Sequence, residues 1–121
     1  MMGLTDSYAT DPWIMQMFDD WFDPCPLNDN WTINGLLLNW PNKTFVNPPY
    51  SNPAPWVEKA IETSLEGKTV VMLLKHDTST QWYKRLHEAN ARFMLISGRL
   101  QYCTGKPAPF ASVLVVLDAI L

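Results

Sequence analysis

The stretch from Pro53 to Leu74 constrains the fold more than any other part of the chain. Trp56, Val57, Ala60, Ile61, Ser64 and Leu65 recur at helical spacing, opposite Glu58, Lys59, Glu62 and Glu66, and Gly67 closes the pattern. Pro53 suits the first turn of that helix, with Asn52 or Ser51 as its cap. Thr69 to Leu74 then runs apolar without alternation, between Gly67 and charged residues, as a central parallel strand covered on both faces does. Such a strand needs neighbours in the sheet and layers above and below it. Lys43 to Val46 supplies the preceding strand.

The alternation continues on both sides. Lys75 to Thr80 is a cap-rich start to a helix that buries Trp82, Leu86 and Ala89 and ends near Asn90. Arg92 to Ile96 reads as a strand, Ser97-Gly98-Arg99 as a turn, Leu100 to Cys103 as an extension and Gly105 to Pro109 as a loop. Ser112 to Asp118 is a final strand, able to pair with the Leu100–Cys103 stretch as an antiparallel edge. Upstream, Met1 to Ala9 has no periodicity and reads as a loose arm. Thr10-Asp11-Pro12 starts a helix that runs to about Asp20, with Trp13, Met17, Ile14 and Trp21 as its apolar face. A short buried strand at Trp21-Phe22 leads into the turn formers Asp23-Pro24-Cys25-Pro26-Leu27-Asn28. A polar loop anchored by Trp31 follows, and Gly35 to Trp40 fits either a short strand or a helical turn. Residues 10–121 are thus expected to form one α/β domain, with a mostly parallel sheet, an antiparallel C-terminal edge and helices on both faces. In such sheets ligands bind outside the carboxyl ends of the strands. The loops holding Asp23, Asn47 to Tyr50, Lys75 to Thr80, and Gly98-Arg99 fall at those ends, so they should share one edge.

One of these loops carries a chemical signature. In Phe45-Val46-Asn47-Pro48-Pro49-Tyr50-Ser51, two successive prolines hold φ near about −65° and present no backbone donors. The loop therefore offers a rigid row of carbonyl acceptors beside the Asn47 side-chain oxygen, with the Tyr50 ring as a stacking surface. A proline-rich turn between strand and helix is the plainer reading of the same residues. Asn47 to Tyr50 also resembles the NPPY catalytic loop of S-adenosylmethionine-dependent methyltransferases that act on planar amino nitrogens of adenine and glutamine. The lone pair of such a nitrogen is delocalised, so attack on a methyl group requires acceptors that draw on its two hydrogens. Asn47 and the Pro48 carbonyl are suited to that task, and positioning with electrostatics then supplies most of the catalysis.

Composition narrows the setting. At 121 residues and 47% hydrophobic, with six Trp and five Phe, the chain is globular rather than disordered. Its longest apolar runs, Val70 to Leu74 and Val113 to Leu117, are far too short to span a bilayer, and the N-terminus has no signal-peptide pattern. Cys25 and Cys103 stand alone, without metal-type spacing or a disulfide framework, which fits the cytoplasm. The net charge of −3 is unevenly spread: residues 1–42 hold six Asp and no Lys or Arg, whereas residues 43–121 hold nine basic side chains against six acidic ones, a net of +3. An acidic first third favours a cationic cofactor and the later part could face phosphates; a solvated helix end with ordinary surface lysines explains the same distribution.

Taken together, TDPW, FDPCPLN at Phe22 to Asn28, NGLLLNW at Asn34 to Trp40, FVNPPYS, PWVEKAIE at Pro55 to Glu62, the residues at Leu73 to Tyr83, GRLQY at Gly98 to Tyr102 and GKPAPF at Gly105 to Phe110 resemble the phage-type, Dam-like DNA N6-adenine methyltransferase family over almost the whole chain. That resemblance implies a Rossmann-like class I methyltransferase fold of minimal size, S-adenosylmethionine as donor and adenine in DNA as acceptor. It implies catalytic roles for Asn47, Pro48, Pro49 and Tyr50. Thr10 and Pro12 match the segment near the cofactor's methionine end, Asp23, Pro24 and Cys25 the first cofactor motif, and Asn34 to Leu36 a segment near the cofactor adenine. Asp77, Thr78 and Ser79 match a motif beside the active site, and Arg99 and Tyr102 a segment that helps hold the flipped base. The chain departs from the pattern in lacking an FxGxG-type glycine loop, with Pro26-Leu27-Asn28 in its place.

Plainer roles stand beside these. Asp77 with Thr78 is a good helix cap, Arg99 a surface or carboxylate-pairing arginine, and His76 and His87 read as exposed. A glutamine methyltransferase acting on protein, or a catalytically weakened DNA-binding domain of the same fold, are the competing functions. Sequence-selective contacts would come from short loops such as Thr104 to Pro109 or from a second subunit. A homodimer is one way to cover an apolar C-terminal strand that ends in Ala119-Ile120-Leu121.

Overall fold

The computed structural model of the chain describes residues 11–26, 33–98 and 111–118. They form α1 (Pro12–Met17), a 3-10 turn (Gly35–Leu37), β1 (Thr44–Val46), α2 (Ala54–Leu65), β2 (Val70–Lys75), α3 (Gln81–Glu88), β3 (Arg92–Leu95) and β4 (Ser112–Leu117). The expected arm at 1–9, Thr10, Trp31, Arg99, the Leu100–Cys103 extension with Tyr102, the Thr104–Pro109 loop and Ala119 to Leu121 lie outside the described residues.

The four strands form one sheet in the order β1-β2-β4-β3. β1 and β2 are parallel, with Val46 opposite Met72; β4 runs antiparallel to β2 on one side and to β3 on the other. Three strands therefore point one way and the reversed one lies inside. This corrects the expected mostly parallel sheet with an antiparallel C-terminal edge: among the described residues the sheet is mixed, β4 is interior and β3 is the edge. The physical reason is burial. Val113 to Val115 and Leu117 are buried on both faces, whereas Met94 and Leu95 of β3 remain half or more exposed. A strand apolar on both faces gains most between two neighbours.

Alternating side chains build two cores. On one face, Val70, Met72 and Leu74 of β2 and Val113, Val115 and Leu117 of β4 pack with Val46, with Trp56, Val57, Ala60 and Ile61 of α2, and with Leu86 of α3. On the other, Phe45, Val71, Leu73 and Leu114 pack with Ile14 of α1, with Phe18 and Trp21 at the margin. Helices thus cover both faces, as expected. The first helix is shorter than its expected span and differently phased: Ile14 is fully buried, while Trp13 and Met17 are about half exposed. Phe18 stacks on Phe45 with ring centroids 4.7 Å apart and meets Trp21 edge-on at 5.0 Å, which fastens the end of α1 to the sheet.

The strand expected at Trp21-Phe22 is reduced to one parallel bridge, Phe22 opposite Thr44, in which Phe22 N–H donates to the Lys43 carbonyl at 3.0 Å and Phe45 N–H to the Phe22 carbonyl at 2.8 Å. It extends the sheet on the β1 side. Gly35 to Leu37 resolves as a 3-10 turn rather than a strand. The bidentate Arg85–Glu58 pair, at 2.9 and 3.0 Å, ties α3 to α2 at the solvent-exposed surface, where water screens it.

Candidate functional site

Because Phe22, β1, β2 and β3 all run the same way, the chain leaves each of them over the same sheet edge. The residues after Phe22, Val46, Lys75 and Leu95 therefore gather there, joined by the start of β4, where His76 N–H donates to the Ala111 carbonyl at 2.8 Å. Of the site residues nominated from sequence, this edge brings together Asp23 to Cys25, Asn47 to Tyr50 and Asp77 to Ser79.

Asn47 follows directly from the buried end of β1. It is half-buried with its side-chain oxygen shielded from solvent, Pro48 is buried, and Pro49 and Tyr50 are half-buried. The Pro49 carbonyl accepts from Asn52 N–H at 3.3 Å, closing the turn into α2, and Pro53 N-caps the helix without a side-chain bond, so neither Ser51 nor Asn52 is the cap. The loop is thus fixed at one end by a core strand and at the other by the longest helix.

Beside it, the Asp23 carboxylate accepts from Cys25 N–H at 2.9 Å. Burial raises its pKa above the ordinary carboxylate value, more than that hydrogen bond lowers it. A carboxyl group whose folded pKa is raised makes the ionised protein less stable. That penalty grows as pH rises from the ordinary carboxylate value through the raised one, and it vanishes below both. Asp23→Asn is therefore expected to raise the melting temperature at neutral pH and to leave it unchanged in acid. Thermal melts across that window test this, and equal melting of the two proteins at pH 7 would remove the burial argument.

Asn34 does not reach this carboxylate through any described hydrogen bond. Its side chain caps its own 3-10 turn, accepting from Leu36 N–H at 3.0 Å. The turn itself is what meets the Asp23 loop: a Cβ built on Gly35 would lie 1.9 Å from the Pro24 carbonyl oxygen, so the two backbones touch. Trp40 Nε1–H donates to the Gly35 carbonyl at 2.9 Å, and Lys59 Nζ of α2 donates to the Leu36 carbonyl at 2.9 Å while lying 5.5 Å from the Trp40 ring centroid. Helical periodicity places Lys59 on the solvent face, and nothing in its spacing signals that it reaches back 23 residues. Pro12 is exposed at the start of α1, on the sheet face opposite α2 and α3, and no described contact joins it to the Asp23 loop.

After β2, Asp77 turns back on its own loop. Ser79 donates to it from its hydroxyl and, at 3.1 Å, from its amide. Those bonds hold its pKa below the ordinary carboxylate value, the hydroxyl contributing most. Neither Asp77 nor Thr78 caps α3; Thr80 does, accepting from Tyr83 N–H at 3.3 Å. Thr78 and Ser79 are exposed and available to a ligand. His76, read from sequence as exposed, is half-buried in a ring cluster with Tyr83, which in turn stacks on Phe93. Among the described residues no helix is long and apolar enough to cross a membrane, and no three His, Cys, Asp or Glu side chains converge.

The family model for DNA N-6-adenine-methyltransferase (Dam) matches residues 12–112, most of the chain and all of this edge. This chain belongs to that family. Within the family, it is 37% identical over 94 residues to a DNA N-6-adenine-methyltransferase of Haemophilus phage HP1 (strain HP1c1), an overlap of 64% of this chain and 54% of the relative. A protein of the same name from Escherichia phage T1 is 38% identical over 67 residues, 53% of this chain and 28% of the relative. The chain thus matches about half the length of one curated family member and about a quarter of the other. No solved structure matches it. The phage-type, Dam-like resemblance read from the motifs is the family that the comparisons give, and membership implies a methyl donor.

Proposed function

We propose that this chain transfers a methyl group from S-adenosylmethionine to the N6 amino group of adenine in DNA. The adenine is flipped out of a duplex or taken from a single strand into a pocket formed by Asn47 to Tyr50. One observation carries the reading: the NPPY loop leaves a buried strand over the same edge as a half-buried carboxylate loop. The mixed sheet is read as a minimal class I methyltransferase sheet with one reversed strand. A single domain acting in the host cytoplasm completes the proposal.

The residues present fit a sulfonium cofactor. Asp23 is a carboxylate partly withdrawn from water, which a cation satisfies, and the Gly35–Pro24 backbone contact forms a narrow wall beside it. Asp23, Pro24, Cys25 and Asn34 are assigned to holding it, with Thr10 and Pro12 approaching its methionine end. When bound, the cofactor supplies an electrophilic methyl group. The chain does the rest. Asn47 Oδ1 and the Pro48 carbonyl accept from the two N6 hydrogens as positive charge develops on nitrogen, and Tyr50 stacks on the base at about 1–3 kcal/mol. The extra proton then leaves to solvent, so no general base is required. Asp77, Thr78, Ser79, Arg99 and Tyr102 are assigned to the base and its strand.

Phosphate contacts are proposed for Lys75 and Lys84, which form no ion pair among the described residues, whereas Lys68, Arg85 and Arg92 are each paired with a carboxylate. Lys75 ends β2 at the site edge and Lys84 lies in the first turn of α3. Each replacement by alanine should weaken DNA binding evenly across sequences and reduce the slope of log affinity against log salt by about one. An unchanged slope in both variants would place the DNA elsewhere. A second copy of the chain would add DNA contacts.

The activity is tested by transfer of labelled methyl from S-adenosylmethionine to DNA and to protein, with the modified base identified by sequencing. Label in adenine N6 supports the reading. Label in protein glutamine, or in neither despite bound cofactor, replaces it with one of its two competitors.

A further inference from the structure

The turn-forming segment Asp23-Pro24-Cys25-Pro26-Leu27-Asn28 contains no glycine, yet a backbone must come close somewhere if the loop is to wrap a small ligand. We propose that this glycine-free loop is instead braced from outside, by Gly35 packed directly on the Pro24 backbone, and that Lys59 is a positioning residue that holds the Gly35 turn against the cofactor loop. This rests on the cofactor reading of Asp23 to Cys25.

Gly35 is a glycine for space rather than for conformation. It sits in a 3-10 turn without a positive φ, but a Cβ there would fall 1.9 Å from the Pro24 oxygen and 2.7 Å from its carbonyl carbon. Both contacts are to backbone, which has no flexible end to swing aside. Any side chain at this position must push the 3-10 turn and the Asp23 loop apart.

Contact alone does not fix the turn; its carbonyls do. The first accepts from buried Trp40 Nε1–H and the second from Lys59 Nζ, each at 2.9 Å, and the ammonium also faces the Trp40 ring at 5.5 Å. Trp40 stacks in turn on Trp56 of α2, with centroids 6.1 Å apart. The turn is therefore held by α2, the helix that begins just after the NPPY loop. The contacts close a ring: β1 to NPPY to α2, from Lys59 to the turn, from Gly35 to Pro24, and through the Phe22 bridge back to β1. The placement of the turn against the Asp23 loop, and with it the shape of the proposed cofactor wall, is set by this ring. A charge-assisted hydrogen bond facing an aromatic ring is among the stronger single contacts available to a half-buried lysine.

The test uses the full chain and S-adenosylmethionine as probe, with affinity read by calorimetry independently of activity. Lys59→Met keeps the stem and removes the donor. Its dissociation constant and KM for S-adenosylmethionine should rise about tenfold, while kcat at saturating cofactor and KM for DNA change by less than about twofold. Lys59→Arg should recover most of the loss. Gly35→Ala should lose more affinity than Lys59→Met, with thermal melts reporting whether it folds. If the unaltered protein binds the cofactor and Lys59→Met binds it equally well, the positioning role is overturned while the cofactor reading stands. If the unaltered protein binds none, the cofactor reading fails and the clamp fails with it.

Discussion

Asn47→Ala is expected to lower kcat for adenine methylation by about 10²- to 10³-fold, the loss usual when one preorganised group that stabilises developing charge is removed. Affinity for S-adenosylmethionine should stay nearly unchanged, because the cofactor is assigned to the Asp23 and Gly35 segments rather than to the NPPY loop. Asn47→Asp keeps an acceptor oxygen in the same place and should retain far more activity than alanine does. The pattern separates a chemical role from a structural one, since a loop that merely joins β1 to α2 would respond to both substitutions through stability. Single-turnover transfer of labelled methyl, with calorimetry on the same samples, measures it. Full activity in Asn47→Ala would sink the mechanism.

The largest effect on stability is expected at Leu73. Its side chain is fully buried in the middle of β2, packed with Ile14, Phe45 and Leu114 on the α1 face. Leu73→Ala should cost about 2–5 kcal/mol, a large share of the roughly 5–15 kcal/mol that holds a small domain folded. Leu65→Ala, at the end of α2 and 80% exposed, should change stability by about 0.5 kcal/mol or less. Urea unfolding of both variants tests the contrast, and equal midpoints would mean that the α1 face is not a packed core.

The helix and strand between Pro53 and Leu74 were legible in the sequence because their periodicities are long and uninterrupted. α1 was harder, since in a six-residue helix one position of phase error rotates the apolar face by about 100°: Ile14 points inward and Trp13 does not. Strand order was only partly legible. Ser112 to Leu117 is as continuously apolar as β2, and by the rule that placed β2 in the interior it belonged there too. Phe93 to Leu95 is also apolar, but Met94 and Leu95 are left exposed at the edge of the described sheet, and hydrophobicity alone cannot distinguish the two positions. The NPPY segment was legible as the turn from a buried strand into a helix, because two successive prolines cannot continue a strand's ladder. Lys59 was not. A lysine stem can lie along apolar surface while its ammonium reaches a carbonyl, and no local spacing encodes a partner 23 residues away.

The reversed interior strand has a consequence for how the molecule assembles on the ribosome. Among the described residues, β3 has no hydrogen-bonded contact with β2 and pairs with β4, which is synthesised after both. Until β4 emerges, β3 is held only by side-chain packing such as Phe93 on Tyr83 of α3 and has no described strand partner, so the nascent chain cannot complete its sheet in the order in which it is made. Closure depends on contacts between distant parts of the sequence, which slows folding relative to a domain built from neighbours. Shortening the chain within β4 should therefore release β3 along with it, and the nascent chain is most exposed to aggregation in the interval before residues 112–117 arrive.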